Sequence, residues 1–201
     1  MCMHIGPLKA LHISPMSING APMQWVKNIK YLGLSLVSGK KFSVDFKDVR
    51  RKFFIAVNSI LSKCKFTSDI VKLELMESQC LPILLYCIES LNLSNVQVKA
   101  VNSWWNAVIR KIFDYNKWES VKNVICLLGR LDLIHIVNLR RLRFIKTLLT
   151  CDNQAMKELS IYYLRSPELV CLELQHGVKL RWTAAKITAM VYVHFKSLCL
   201  L

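Results

Sequence analysis

The sequence predicts an α+β, mainly α fold: a short antiparallel β-hairpin region followed by a bundle of four to six helices. Three observations predict it. Turn residues and alternating apolar positions dominate the first forty residues. The apolar period changes to that of a helix from about residue 43 and stays so to about residue 149. Hydrophobic residues make up 53% of the 201 and charged residues 20%, enough apolar material for a core and too little charge for a disordered chain.

The elements follow in order. Cys2 to Ile5 reads as a short strand that starts abruptly, as the tail of a larger domain would. Asn19-Gly20 marks a tight hairpin, because both central positions of such a turn need positive φ. Trp25 to Leu36 is rich in β-branched and aromatic residues, and Gly33 within it predicts a bulge or a close backbone approach. Ser38 to Lys41 is expected to end the strands. Between Ser43 and Lys65, Phe46, Val49, Phe53, Val57, Ile60 and Leu61 trace one helix face. Lys47, Arg51, Asn58 and Lys65 fall on a common flank of that wheel, with Lys40, Lys41 and Lys52 nearby. Such a flank suits either a phosphate backbone or plain solvent.

A second helix is expected from Ser68-Asp69 toward Leu91, broken or kinked near Cys80-Leu81 by Pro82. Ser94 and Gln97 have capping-box spacing and open a third. On it Val98, Val101, Trp105, Val108 and Ile112 line the core face, while Lys99, Asn102, Asn106 and Arg110 line the opposite one. Trp105 is therefore core, and Trp104 is the better placed of the two to meet a base. A short helix over 119–128 should end at Gly129. Asp132 can cap a helix through Leu149 in which Arg140, Arg141, Arg143 and Lys146 alternate with apolar residues. Beyond Cys151, Glu158 to Leu164 reads as helix, Pro167 as an interruption, and Val191 to Phe195 as strand or helix.

Charge points toward a polyanion. Lys and Arg number 28 against 13 Asp and Glu, a net charge of +15. The excess is +9 over residues 1–67, zero over 68–134 and +6 over 135–201. No apolar run approaches the length of a membrane span, and the start lacks the pattern of a signal peptide. The eight cysteines are spread evenly, which favours free, mostly buried thiols and an intracellular location, nucleus or cytoplasm, over a disulfide framework.

Catalytic motifs are missing. The chain has no Gly-rich phosphate loop, GxSxG or HExxH. Histidines 4, 12, 135, 176 and 194 show no metal spacing with the cysteines, and ordinary packing is the expected role of Cys126 and His135. No pair of carboxylates suited to two metal ions stands out. No cofactor is expected.

Several phrases, in order, resemble the reverse transcriptase of non-LTR (LINE-type) retrotransposons downstream of its catalytic strand. They are Met3-His4-Ile5-Gly6, then Ile29-Lys30-Tyr31-Leu32-Gly33, then Leu81-Pro82-Ile83-Leu84-Leu85-Tyr86-Cys87-Ile88-Glu89, then Arg140-Arg141-Leu142-Arg143-Phe144. The resemblance implies palm-tail strands and a hairpin over 1–41, a thumb-like and connecting helical bundle over 42–150, and an unassigned segment over 151–201. It further implies that Tyr31, Leu32 and Gly33 grip a primer end, and that Lys47 and Arg51 track a template–primer backbone. The flank residues Asn58 and Lys65, and the cluster Arg140, Arg141 and Arg143, complete the expected phosphate contacts. The intact family enzyme is an RNA-directed DNA polymerase using Mg²⁺. Its Asp pair is not in this chain, which is expected to be inactive alone. The expected partner is an RNA–DNA hybrid or duplex bound without sequence preference, with the missing palm or another protein as further partners and no membrane. The alternative is an inert or protein-interacting helical fragment of a decayed element.

Overall fold

A computed structural model describes residues 1–7, 16–91, 93–164 and 166–199. The fold is α+β and mainly α, with two small antiparallel sheets and then helices. The chain divides into two compact units, Met1–Ala56 and Val57–Leu201.

The first unit is built on turns. Strands β1 (Ser17–Ile18) and β2 (Ala21–Pro22) pair across Asn19 and Gly20, whose φ values of 50° and 81° give the two left-handed positions a tight hairpin needs. Strands β3 (Asn28–Tyr31) and β4 (Leu34–Val37) form a second hairpin. Its turn is Leu32-Gly33, with φ values of 45° and 81°. Gly33 is therefore a turn residue and not a bulge: one long strand was expected, and the glycine splits it. The strands also run past Lys41, because β5 (Ser43–Asp45) pairs with β4 and buries Val44. Cys2 and Ile5 make only isolated bridges, to Trp25 and Gly39.

Helix α1 (Lys47–Lys63) starts after that strand, and Asp45 Oδ1 accepts from the Lys47 N–H at 2.9 Å, satisfying one of its orphan donors. Phe53 and Val57 are fully buried, and Phe46, Val49, Ile60 and Leu61 are half-buried, so the expected face is the inner one. Lys65 lies past the end of the helix, in a turn.

The second unit begins along α1. Helix α2 (Asp69–Leu75), a π-helical turn (Met76–Cys80) and α3 (Leu81–Leu85) run on continuously. The π turn lies just before Pro82, which has no N–H and whose ring would crowd the carbonyl of Ser78; the wider turn accommodates both. Ser68 sits at the cap position without a side-chain cap bond. The helix ends at Leu85 and not near Leu91, because Tyr86 is extended and Cys87 takes φ 55°. Helix α4 (Asn95–Ile112) carries both bonds of the Ser94–Gln97 capping box and buries Val101, Trp105, Val108, Ile109 and Ile112. Its other flank is less open than expected. Asn102 and Asn106 have buried Oδ1 atoms, and Arg110 Nε donates to Glu119 O at 2.8 Å. Trp104 is half-buried.

Helix α5 (Lys122–Leu127) ends near Gly129, at φ 67°, and α6 (Leu133–Thr150) follows, capped by Asp132. Helices α7 (Gln154–Leu164), α8 (Pro167–His176) and α9 (Ala184–Cys199) complete the unit. The described residues thus hold nine α-helices, more than the four to six expected, because short turns divide the helical stretches and 151–199 adds three. Pro167 opens α8 and does not merely interrupt, since the first helical position has no N–H partner to lose. All eight cysteines are free, and most are half-buried, with only Cys80 fully inside. Helix α6 is central: it packs against α4, α7, α8 and α9.

Candidate functional site

The expected phosphate contacts divide between two settings. In the first unit, Tyr31, Leu32 and Gly33 form the exposed tip of the β3–β4 hairpin, with Tyr31 62% and Leu32 67% exposed. Lys47 and Arg51 are exposed on α1. Each has a carboxylate within 3.7 Å, Asp45 for Lys47 and Asp48 for Arg51, in surface pairs that contribute little. In the second unit, Asn58 Oδ1 accepts from Lys111 Nζ at 3.4 Å, and Lys65 is exposed in its turn.

The cluster on α6 is spent differently. Arg140 Nη1 donates to Leu85 O at 3.0 Å and Arg141 Nη2 to Leu91 O at 2.9 Å, and both side chains are half-buried. Arg143 is exposed and donates to Thr188 Oγ1 at 2.7 Å. Lys146 Nζ reaches Leu180 O and Trp182 O, at 3.3 and 2.5 Å. Arg140, Arg141 and Lys146 thus add bonds to backbone carbonyls at the end of α3 and in the connections from α3 to α4 and from α8 to α9. Two of the sequence phrases meet here, since Leu85 and Arg140 belong to different ones.

The structure also assembles a group that the spacing of residues did not suggest. His135 on α6, His176 at the end of α8 and His194 on α9 converge. One ring nitrogen from each lies within 4.8 Å of the others, and ring centres are 5.4, 5.5 and 4.8 Å apart. His135 and His176 are buried and His194 is half-buried. Phe195 packs on His135 at 4.9 Å between ring centres.

Second contacts orient two of the rings. Asp132 Oδ1 accepts from the His135 backbone N–H at 2.8 Å and lies 2.6 Å from Nδ1 of the same ring, so in the neutral ring Nδ1 carries the proton and Nε2 the lone pair. Asn138 places an amide atom 3.1 Å from His176 Nε2. The remaining nitrogens, His135 Nε2, His176 Nδ1 and His194 Nδ1, are buried without a hydrogen-bond partner. Burial first, and then His135 and His194 beside it, push the His176 pKa down to about 4, with Asp132 opposing. Burial and His135 also lower that of His194. The neutral form that burial favours in His176 and His194 leaves each ring a lone pair, which is what a metal ion binds.

No family model, no curated protein and no solved structure matches this chain.

Sequence reasoning missed the triad because its members come from three helices brought together by packing. One local signal existed: His135 follows the Asp132 cap by three residues, within reach of its carboxylate. His4 and the triad lie in the described part of the chain, and His12 lies outside it. No helix among the described residues is long and apolar enough to cross a membrane.

Proposed function

We propose that this chain is a piece of a non-LTR retrotransposon reverse transcriptase that lacks the catalytic Asp pair and binds nucleic acid without sequence preference through its first unit. The ordered phrases support the family origin. The observation that carries the binding is the charge of residues 1–56, where nine Lys and Arg stand against two carboxylates. Every described one of those cations is exposed. An exposed aromatic at the hairpin tip adds a surface on which a base can stack. The natural setting of such a function is the nucleus or cytoplasm. Without carboxylates to hold metal ions at a transferring phosphate, the chain supports no primer extension alone.

A duplex or RNA–DNA hybrid titrated with the full chain at several salt concentrations tests this. Affinity should fall steeply with salt, by a log–log slope of about −0.9 per phosphate neutralised on duplex DNA. Lys47→Glu with Arg51→Glu should weaken binding and flatten the slope by roughly 2. Lys99→Glu with Lys196→Glu, exposed on α4 and α9, should do much less. Equal loss from both pairs would reduce the effect to net charge, and no binding at low salt would refute the proposal.

The alternative, an inert or protein-interacting helical fragment, draws on the other basic cluster. Arg140, Arg141 and Lys146 already bond backbone carbonyls of their own chain, so their charge has a structural use without any nucleic acid.

A further inference from the structure

We infer that His135, His176 and His194 form a three-imidazole site for a divalent metal ion, with zinc the best fit, that ties helices α6, α8 and α9 together.

Orphaned nitrogens are the first reason. Burying a polar atom with no partner is costly, and natural interiors avoid it. Here three such atoms, His135 Nε2, His176 Nδ1 and His194 Nδ1, belong to the three rings of one cluster. A single cation satisfies all three. No donor among the described residues reaches them.

Geometry is the second reason. Zinc holds imidazole nitrogen at about 2.0–2.1 Å in a tetrahedron, which sets ligand nitrogens about 3.3 Å apart and ring centres about 5 Å apart. The ring centres here lie 4.8 to 5.5 Å apart, which brackets that spacing. One ring nitrogen of each histidine already lies within 4.8 Å of the others, so a small inward turn of the rings closes the rest. Ring rotation about the terminal side-chain torsion supplies that movement, because such torsions are broad.

The third reason is the shell behind the ligands. A metal-bound histidine commonly donates its other N–H to a carboxylate or carbonyl, which fixes the tautomer and raises the basicity of the ligand. Asp132 does this for His135. Asn138 stands ready to do it for His176: turning its amide by 180° puts Oδ1 where Nδ2 stands, 3.1 Å from Nε2. Nε2–H then donates to Oδ1, and Nδ1 keeps the lone pair. The two ends of an amide differ little in shape, so the turn costs no packing. Imidazole is a borderline ligand suited to zinc, copper and nickel and poor for magnesium or calcium. Three imidazoles leave a fourth tetrahedral position for water or another small ligand.

The test uses the full chain stripped by a chelator and titrated with Zn²⁺ under reducing conditions. One equivalent should bind and, at a hundredfold excess over Kd, raise Tm by about 5–10 °C. The deciding measurement is ¹⁵N NMR of the imidazoles, in which His135 Nε2, His176 Nδ1 and His194 Nδ1 should all shift on zinc addition. His194→Ala, at the least buried ligand, should weaken binding at least about a hundredfold. Asp132→Asn keeps the helix cap and should weaken it about 10–100-fold. Zinc that binds without moving these nitrogens would be held by the cysteines, and that result would overturn the inference. So would a stripped wild-type chain that takes up no zinc. If His194→Ala does not fold, the wild-type titration and its ¹⁵N shifts still decide.

Discussion

Helices α1 and α6 carry similar basic patterns and use them in opposite ways. On α1, Lys47 and Arg51 stand in solvent, their side chains 90% and 69% exposed, with only loose carboxylate neighbours. On α6, Arg140, Arg141 and Lys146 turn back into the chain and hold the carbonyls of Leu85, Leu91, Leu180 and Trp182. A basic run therefore states no function until the position of its helix is known. The α1 cations stay in solvent, whereas a helix packed by four others spends its own on backbone carbonyls around it.

The largest expected effect follows from that contrast. Replacing Arg140 and Arg141 by Ala removes two charge-assisted bonds to backbone carbonyls, each worth about 1.5–3 kcal/mol. Urea unfolding of the double variant should show a loss of about 3–5 kcal/mol, a large share of the stability of an ordinary domain. A loss below about 1 kcal/mol would mean that the two guanidiniums bond no more strongly than water does, and the contrast with α1 would fail.

Next comes acid. Unfolded, His176 takes up a proton near pH 6.5; folded, it resists until about pH 4. Between those values the unfolded state binds more protons. The stability of the metal-free chain should therefore be complete above pH 6.5, fall as pH drops, and level off near 4. The groups facing His176 are His135 and His194, which deepen the effect, and Asp132, which opposes it. The loss should be of order 3 kcal/mol. Hydrogen exchange followed by peptide should locate it in α6, α8 and α9, not in residues 1–56. A uniform loss across both units would detach it from the histidines.

Legibility differs between local and long-range features for a physical reason. Hairpin turns, caps and amphipathic faces are local, and Asn19-Gly20, Ser94–Gln97, Asp132 and the Phe53–Val57 face are all where the residues imply. Gly33 reads as a bulge or a close approach because it sits in a strand-like run, and nothing in its neighbours marks the turn it makes. The uses of Arg140 and His135 were not legible at all. Each depends on a partner more than thirty residues away in sequence, Leu85 for one and His176 and His194 for the other. Spacing rules find sites held on one element, and this triad is held on three.

A smaller effect calibrates the local signals. Ser94→Ala removes the acceptor of the Gln97 N–H and half of the capping box. It should cost about 1 kcal/mol, the usual value of an N-cap, and Ser94→Asp should recover most of it. Thermal unfolding of the pair checks both. No recovery with Asp would show that the Gln97 side chain, and not the cap oxygen, is what the helix start depends on.

The smallest expected effect is the stability change of Lys47→Glu with Arg51→Glu, and it closes the comparison from the other side. Both side chains are exposed and bury nothing, and Glu has nearly the helix propensity of Lys and Arg. Two weak surface pairs are lost, and the new Glu at 51 faces Asp48 one turn away, a like-charge contact worth a few tenths of a kcal/mol. Against this, both positions lie in the first turns of α1, where negative charge favours the helix dipole by a similar amount. The terms offset, so the net change should stay within about 0.5 kcal/mol. The same two substitutions should weaken nucleic-acid binding, while Arg140→Ala with Arg141→Ala should cost stability first. A chain in which the α1 pair proves as destabilising as the α6 pair would place Lys47 and Arg51 in structural bonds, and the exposed flank would no longer be available as a phosphate-binding surface.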